Sequence, residues 1–198
     1  MTQAVVVQVG QCGNQIGCRF WDLALREYAQ FNKSALYDDA VGTFFRNVDS
    51  SDGTHLAAGG RIQLLKARAV LVDMEEGVVS EILQGPLRDV FHSTQLLTDV
   101  SGAGNNWAVG HMTYGSTYRE KIVDKLRKAA EQCDCLQSFF LLNSMGGAFT
   151  QADNFTAFGF CVSDHETWRP GSTPMIKIRI ANTKLHYSEQ GRHVSINI

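Results

Sequence analysis

The stretch of sequence that decides the fold is Ala4-Val5-Val6-Val7-Gln8-Val9-Gly10-Gln11-Cys12-Gly13-Asn14-Gln15-Ile16-Gly17. Its first part, residues 4–9, is apolar and rich in β-branched side chains, which predicts a buried strand that ends at Gly10. An amphipathic pattern begins among the glycines and runs to about Gln30, which predicts a helix. A helix that starts at the carboxyl end of a strand offers backbone N–H groups and a positive dipole end to an anion. The stretch therefore predicts a phosphate-binding site.

The spacing of the glycines is weaker support for that site. Gly10, Gly13 and Gly17 fit neither the dinucleotide pattern G-x-G-x-x-G nor the P-loop pattern G-x-x-x-x-G-K-[ST], and no lysine follows them. An ordinary turn between strand and helix therefore stays open as the alternative explanation of the spacing.

The composition indicates one ordinary domain inside a cell. The chain has 198 residues and a formal net charge of -2 without a basic run, so no nucleic acid is expected as a partner. No apolar run reaches the length of a membrane span, and the N-terminal apolar stretch lacks the basic flank of a signal peptide, so no membrane is expected either. The 5 cysteines are expected to be reduced thiols in the cytoplasm.

Further strand patterns alternate with helix patterns along the chain. Strands are predicted over residues 67–73, 95–100 and 136–142, and helices over 74–83 and 117–133. Alternating strands and helices favour an α/β fold with a doubly wound, parallel, Rossmann-like sheet. The loops after the strands then share one edge. Because each of them carries Gly, Asp or Asn, they predict a nucleotide or phosphate ligand.

Two carboxylates follow the second of these strands. Asp73 lies at its carboxyl end, and Glu75 lies two residues further on. Carboxylates in that place commonly hold Mg²⁺, in part through water, beside a bound phosphate. Capping of the following helix explains the same spacing equally well, so both interpretations stay open.

The segment from Phe31 to Gly60 is long and largely polar. It is predicted to lack regular structure, which is unusual inside a compact domain and often indicates function or mobility. Phe44 and Phe45 are predicted to anchor it to the rest of the domain. No catalytic arrangement is visible in it.

Residues 1–147 resemble the tubulin family through more than the first loop. The residues similar to the family's four nucleotide loops are Val7–Gly17, Asp73-Met74-Glu75, Gly102–Ala108 with Gly110-His111, and Ser144-Met145-Gly146-Gly147, the last matching only the start of the fourth loop. Within the family, residues 44–49, 66–77 and 84–91 resemble the epsilon-tubulin subfamily.

The resemblance implies a GTP-binding domain with Mg²⁺ beside the phosphates. Asp73 and Glu75 would then face the Mg²⁺ or its waters, and Cys12 would be a small contact and not a nucleophile. The expected phosphate contacts are Gly10, Gln11, Cys12 and Gln15 at the α- and β-phosphates, Ala103, Gly104 and Asn105 near the γ-phosphate, and Ser144, Gly146 and Gly147 from the fourth loop.

The resemblance ends after Gly147. The family's fourth loop continues as G-G-G-T-G-S-G, whereas this sequence continues as Ala148-Phe149-Thr150-Gln151-Ala152. Residues 1–147 are therefore predicted to be the N-terminal part of a GTP-binding domain, and residues 148–198 a divergent, irregular tail of unknown fold. Within the tail, residues 175–180 alternate like a strand, which could cover an open sheet edge. A truncated form with an alternative or misjoined end would explain the change.

Two functions follow from the resemblance. The first is a GTP-binding cytoskeletal protein of microtubules and centrioles, located in the cytoplasm at centrosomes and basal bodies, that contacts other tubulins longitudinally. The alternative is a non-catalytic fragment that binds nucleotide weakly or not at all and at most associates with other tubulins.

The sequence contains no counterpart of the family's ribose- and base-binding segments or of its water-activating acidic residue. Little bound nucleotide and no GTPase activity are therefore expected of this chain alone. A Rossmann-like enzyme for another phosphorylated ligand is disfavoured, because the sequence contains no recognisable nucleophile–base set or catalytic acid–base pair.

Overall fold

A parallel sheet with helices on both faces forms the centre of the computed structural model, which describes residues 2–100, 102, 103, 106, 108–143 and the backbone of 177–182. The strands are β1 (Gln3–Val9), β2 (Phe45–Val48), β3 (Leu64–Ala67), β4 (Ala69–Asp73), β5 (Leu96–Thr98), β6 (Leu136–Asn143) and β7 (Lys177–Asn182). The helices are α1 (Gly10–Phe31), α2 (Asp39–Gly42), α3 (Glu76–Gln84) and α4 (Ser116–Glu131), with 3-10 turns at Arg88–Val90 and Ser93–Gln95 and a π-helical segment at Val109–Gly115.

The strand order confirms the predicted doubly wound sheet. Within the described part, the order is β5-β4-β1-β6-β7, and every neighbouring pair is parallel. The chain moves from β1 outward to β4 and β5 and then crosses to the other side of β1 for β6. The connections therefore reverse direction between β1 and β6, and in such sheets a ligand binds outside the carboxyl ends of the strands at this point.

The two faces of the sheet carry separate apolar cores. Val6 and Leu71 face α1 and α3, where they pack with Trp21 and Ile82. Residues that alternate with these, such as Val7, face the opposite side and pack with residues of α4. Side chains of successive strand residues point to opposite faces, so an apolar run without alternation is what a sheet covered on both sides requires.

A buried glutamine interrupts the apolar run of β1 and joins it to α1. Gln8 is fully buried, and its Oε1 accepts a hydrogen bond of 2.8 Å from the indole Nε1 of Trp21. Gly17 lies over the same carboxamide so closely that a Cβ there would overlap the Oε1 of Gln8. The glycine is therefore needed for close packing of helix on strand.

The prediction of an irregular segment over residues 31–60 is wrong in part. The segment contains α2 and β2, and β2 pairs antiparallel with β3 in a separate two-stranded ribbon. Apolar strand residues are few and mixed with polar ones there, so the period-2 signal was weak. The predicted anchor is confirmed, because Phe45 is buried and its ring centroid lies 5.2 Å from that of Trp21.

The strand predicted over 67–73 is two elements, since Arg68 separates β3 from β4. In the tail, a strand is present over Lys177–Asn182, and it pairs with β6 from Ser138 to Asn143. It covers the edge of β6, as the alternating pattern suggested, although Met175 and Ile176 lie outside the described residues.

Replacing Gly17 with alanine tests the close packing of α1 on β1. We expect G17A to lower the free energy of unfolding by about 2–3 kcal/mol, because the added methyl group displaces the carboxamide of Gln8. The matched control is G77A in α3, where no described residue lies within 4 Å of the added Cβ. It should raise stability by about 0.5–1 kcal/mol. Urea unfolding of both variants measures this, and equal effects would contradict the packing argument.

Candidate functional site

The carboxyl ends of β1, β4 and β6 meet at the point where the chain reverses direction. Gly10 follows β1 with φ of 69°, a left-handed conformation that favours glycine, and this turn starts α1 at once. Asp73 ends β4, and Asn143 ends β6. Backbone N–H groups of a helix start, a carboxylate and a carboxamide are therefore brought to one edge of the sheet.

Among the described residues, no side chain caps the N–H groups of the first turn of α1. Val9 at the N-cap position offers no side-chain oxygen, and the turn contains no acidic residue. The first N–H groups of a helix lack partners within the helix, so they are free to bind an anion. Gln11 and Gln15 are exposed and lie one helical turn apart, which places both side chains on the same face.

Cys12 is half-buried beside these N–H groups. Burial raises the pKa of its thiol above the ordinary value of 9.0, so the side chain is a neutral thiol at neutral pH. A neutral thiol is a weak nucleophile. The role of Cys12 as a small phosphate contact stays a prediction.

Asn14 holds the edge together, and sequence reasoning missed it as a site residue. Its Nδ2 donates hydrogen bonds of 3.0 Å to the Gly10 oxygen and 3.2 Å to the Val72 oxygen, and it is fully buried. It thereby ties the first turn of α1 to the end of β4. The sequence signal for this role is the position of Asn14, about one helical turn after Gly10, the glycine that follows β1.

Asp73 is a buried carboxylate, and one of its oxygens has no partner among the described residues. Its Oδ1 accepts a hydrogen bond of 3.2 Å from the Glu75 backbone N–H, whereas its buried Oδ2 has no partner among the described residues. The side chain is 1 % exposed. Burial, opposed by the N–H of Glu75 and assisted by the Glu75 carboxylate, raises the pKa of Asp73. An uncompensated carboxylate oxygen in a buried place fits a cation or a bound water.

Glu75 brings the second and third loops together. It occupies the N-cap position of α3 but makes no capping hydrogen bond with its side chain, so the capping interpretation is wrong for Glu75. A Cβ on Gly102 would overlap its Oε1, so the carboxylate lies directly against the third loop. The next residue of that loop, Ala103, is buried.

The end of β6 contributes a second residue that sequence reasoning missed. Asn143 is buried, and its Oδ1 has no partner among the described residues. Gly13 packs on the same strand so tightly that a Cβ would overlap the Leu142 oxygen. A polar residue at the end of an apolar strand was the signal.

The remaining expected contacts cannot be placed at this edge. Gly104, Asn105, Ser144, Gly146 and Gly147 lie outside the described residues.

Within the described part of the chain, no helix combines the length and apolarity needed to span a membrane.

A surface cleft of about 790 Å³ lies elsewhere, along the C-terminal half of α1 and beside α2. Aromatic side chains such as Phe20, Tyr28 and Phe44 line much of it. None of the strand ends described above contributes to its wall, so it is separate from the carboxyl edge.

Comparison with known proteins agrees with the geometry of this edge. The family model described as Tubulin/FtsZ family, GTPase domain, matches residues 3–150. The chain belongs to this family. Among curated relatives, it is 70% identical over 150 residues to the tubulin epsilon chain of Mus musculus and 66% identical over 150 residues to that of Homo sapiens.

The match covers unequal shares of the proteins compared. Each alignment includes 74% of this chain but 31% of the relative, so the chain spans about a third of the length of these tubulin epsilon chains. The residues that the family model matches, 3–150, include the described residues of the carboxyl edge.

Replacing Asn14 with alanine tests its structural role. N14A should lower the free energy of unfolding by about 1–3 kcal/mol, because two buried carbonyl oxygens lose their donor. Q15A, which truncates an exposed side chain of the same helix, should change stability by less than about 0.5 kcal/mol. Urea unfolding measures both, and a loss in N14A no larger than in Q15A would contradict the role.

Burial of Asp73 predicts a pH-dependent loss of stability. Because its pKa is raised, the folded protein holds this proton more tightly than the unfolded chain, so stability falls as pH rises from about 3.8 through the folded-state pKa. D73N should therefore be more stable than the unchanged chain at pH 7, and this difference should vanish below about pH 3.8. D39N, at an exposed position, is the control. Equal stability of D73N and the unchanged chain at pH 7 would argue against this.

Proposed function

We propose that the carboxyl edge binds the phosphates of GTP with Mg²⁺ beside them, and that the chain acts as a GTP-binding cytoskeletal protein. The observation that carries the proposal is the arrangement of Asp73 beside the uncapped start of α1, with Asn14 bonded to both sides. Positive N–H groups and an unpaired carboxylate oxygen next to each other suit an anion and a cation that bind together.

The proposed phosphate contacts divide between the loops. Backbone N–H groups near Gly10 and Cys12, together with the exposed side chains of Gln11 and Gln15, would hold the α- and β-phosphates. Ala103 would lie near the γ-phosphate. The proposal extends to residues outside the described part, which are Gly104, Asn105, Ser144, Gly146 and Gly147.

The donor set at the edge fits Mg²⁺. The Oδ2 of Asp73 has no hydrogen-bond partner among the described residues, and Glu75 supplies a second carboxylate nearby. Grouped sets of three or more His, Cys, Asp or Glu ligands are absent from the described residues. This agrees with an ion that takes one or two carboxylates and completes its octahedron with water and phosphate oxygens. When bound, the ion would neutralise phosphate charge.

The proposed partners and location rest on similarity. The relatives are named tubulin epsilon chain, which supports association with other tubulins. We propose longitudinal contacts with tubulins and a place at centrosomes, centrioles and basal bodies. Both are proposals for this chain, since it spans 31% of those relatives.

Equilibrium binding of a fluorescent GTP analogue to the 198-residue chain tests the proposal. We expect weak binding that requires Mg²⁺ and is reduced at least tenfold when EDTA replaces the metal. D73N should lose this dependence on Mg²⁺, because the oxygen that faces the ion is replaced by a group that carries no charge. D39N should bind like the unchanged chain.

Two results would contradict the proposal. Absence of any binding to the folded, unchanged chain would favour the non-binding alternative. Binding to the unchanged chain that EDTA does not weaken, and that D73N does not weaken either, would place the nucleotide away from Asp73.

A further inference from the structure

The amino-terminal end of β4 carries a cluster of cations. Arg46 on β2 lies directly opposite Lys66 on β3, and Arg68 comes two residues later, just before β4. Like charges at opposite positions of paired strands repel each other. Burial lowers the pKa of Arg46, and the charge of Arg68 lowers it further. Burial also lowers the pKa of Lys66, with a smaller contribution from the charge of Arg46. The three side chains are therefore electrostatic neighbours.

Arg68 is fixed in place by neutral acceptors. Its Nε donates 3.2 Å to the Gly42 oxygen, and its Nη1 donates 2.7 Å to the Gln132 oxygen and 3.5 Å to the Sγ of Cys133. The residue is 2 % exposed. Its Nη2 is buried and has no hydrogen-bond partner among the described residues. The Nη2 group of this rigidly held guanidinium thus makes no hydrogen bond within the described part of the chain.

Arg46 provides a second unused donor. Its Nε is buried without a hydrogen-bond partner in the described part of the chain, although the residue as a whole is half-buried and borders solvent. The ion pairs formed among the described residues include neither Arg46 nor Arg68. The Nζ of Lys66 donates hydrogen bonds to the carbonyl oxygens of Asp89 and Phe91. As a cation, Lys66 cannot neutralise the charge of either arginine.

Buried guanidinium groups without a counter-ion are unfavourable, and proteins normally pair them with a carboxylate or phosphate. A guanidinium also offers planar N–H donors that match the oxygens of such anions. We propose that Arg46 and Arg68 form a binding site for a small oxyanion of the phosphate type, held between the Nε of Arg46 and the Nη2 of Arg68.

This site is distinct from the nucleotide edge. Arg68 precedes β4, whereas Asp73 ends it, so the two lie roughly 16 Å apart at about 3.3 Å per residue of strand. One phosphate group cannot reach both. The donors are buried, so a small inorganic anion fits better than the phosphate of a bulky ligand, and it would enter from the half-buried side of Arg46.

Thermal unfolding of the full 198-residue chain, without nucleotide, tests the proposal with inorganic phosphate as the probe. At constant pH and ionic strength, exchanging chloride for phosphate should raise the unfolding midpoint by about 2–4 °C. R46Q should lose this rise because it removes one of the two donors. R61Q, which neutralises an exposed arginine nearby in the sequence, should keep it.

An equal rise in R46Q and the unchanged chain would overturn the proposal, because the phosphate would then bind at the nucleotide edge or at the surface. Absence of a rise in the unchanged chain would overturn it too. If R46Q does not fold, ¹⁵N resonances of the arginine side chains in the unchanged chain decide the matter. Those of Arg46 and Arg68 should shift with phosphate, and unchanged resonances would refute the site.

Discussion

The fold depends on satisfying one buried carboxamide. Gln8 lies in the central strand with no access to water, where an unpartnered amide would be costly. The indole of Trp21 donates a hydrogen bond of 2.8 Å to the carboxamide oxygen of Gln8. The carboxamide nitrogen of Gln8 in turn donates to the Oδ1 of Asn14 at 3.5 Å. Gly17 leaves room for the group. Asn14, Gly17 and Trp21 therefore fix how α1 lies on β1. The turn at Gly10 and the first N–H groups of the helix are fixed with them.

The two ends of the sheet carry opposite kinds of buried polar groups that lack hydrogen-bond partners in the described chain. At the carboxyl end, Asp73 and Asn143 each leave a buried acceptor oxygen without a partner in the described chain. At the amino end, Arg46 and Arg68 each leave a buried donor. Acceptors next to free helix N–H groups suit a phosphate with its cation, whereas paired guanidinium donors suit an anion alone. The same strand, β4, connects the two chemistries.

Much of the fold could be predicted from sequence because its signals are local. The apolar run of β1, the glycine-bearing turn and the amphipathic pattern of α1 each fall within a few residues, as do Asp73 and Glu75. The ribbon of β2 and β3 could not be read, since its register depends on pairing across a long loop. Asn14, Asn143 and the arginine pair were missed for a related reason. Asn14 and Arg68 act through partners distant in sequence, Val72 and Gln132 respectively, whereas the place of Asn143 depends on how β6 packs against α1.

We propose that the start of α1 and the end of β4 together hold the phosphates of a nucleotide. A titration of the isotopically labelled chain with Mg²⁺ and GTP, followed by backbone amide resonances, tests it most directly. We expect the largest shifts at Gln11, Cys12 and Gly13 and at Met74 and Glu75, with little change at Arg46. Shifts concentrated at the cleft beside α2, or none at the first turn of α1, would contradict it.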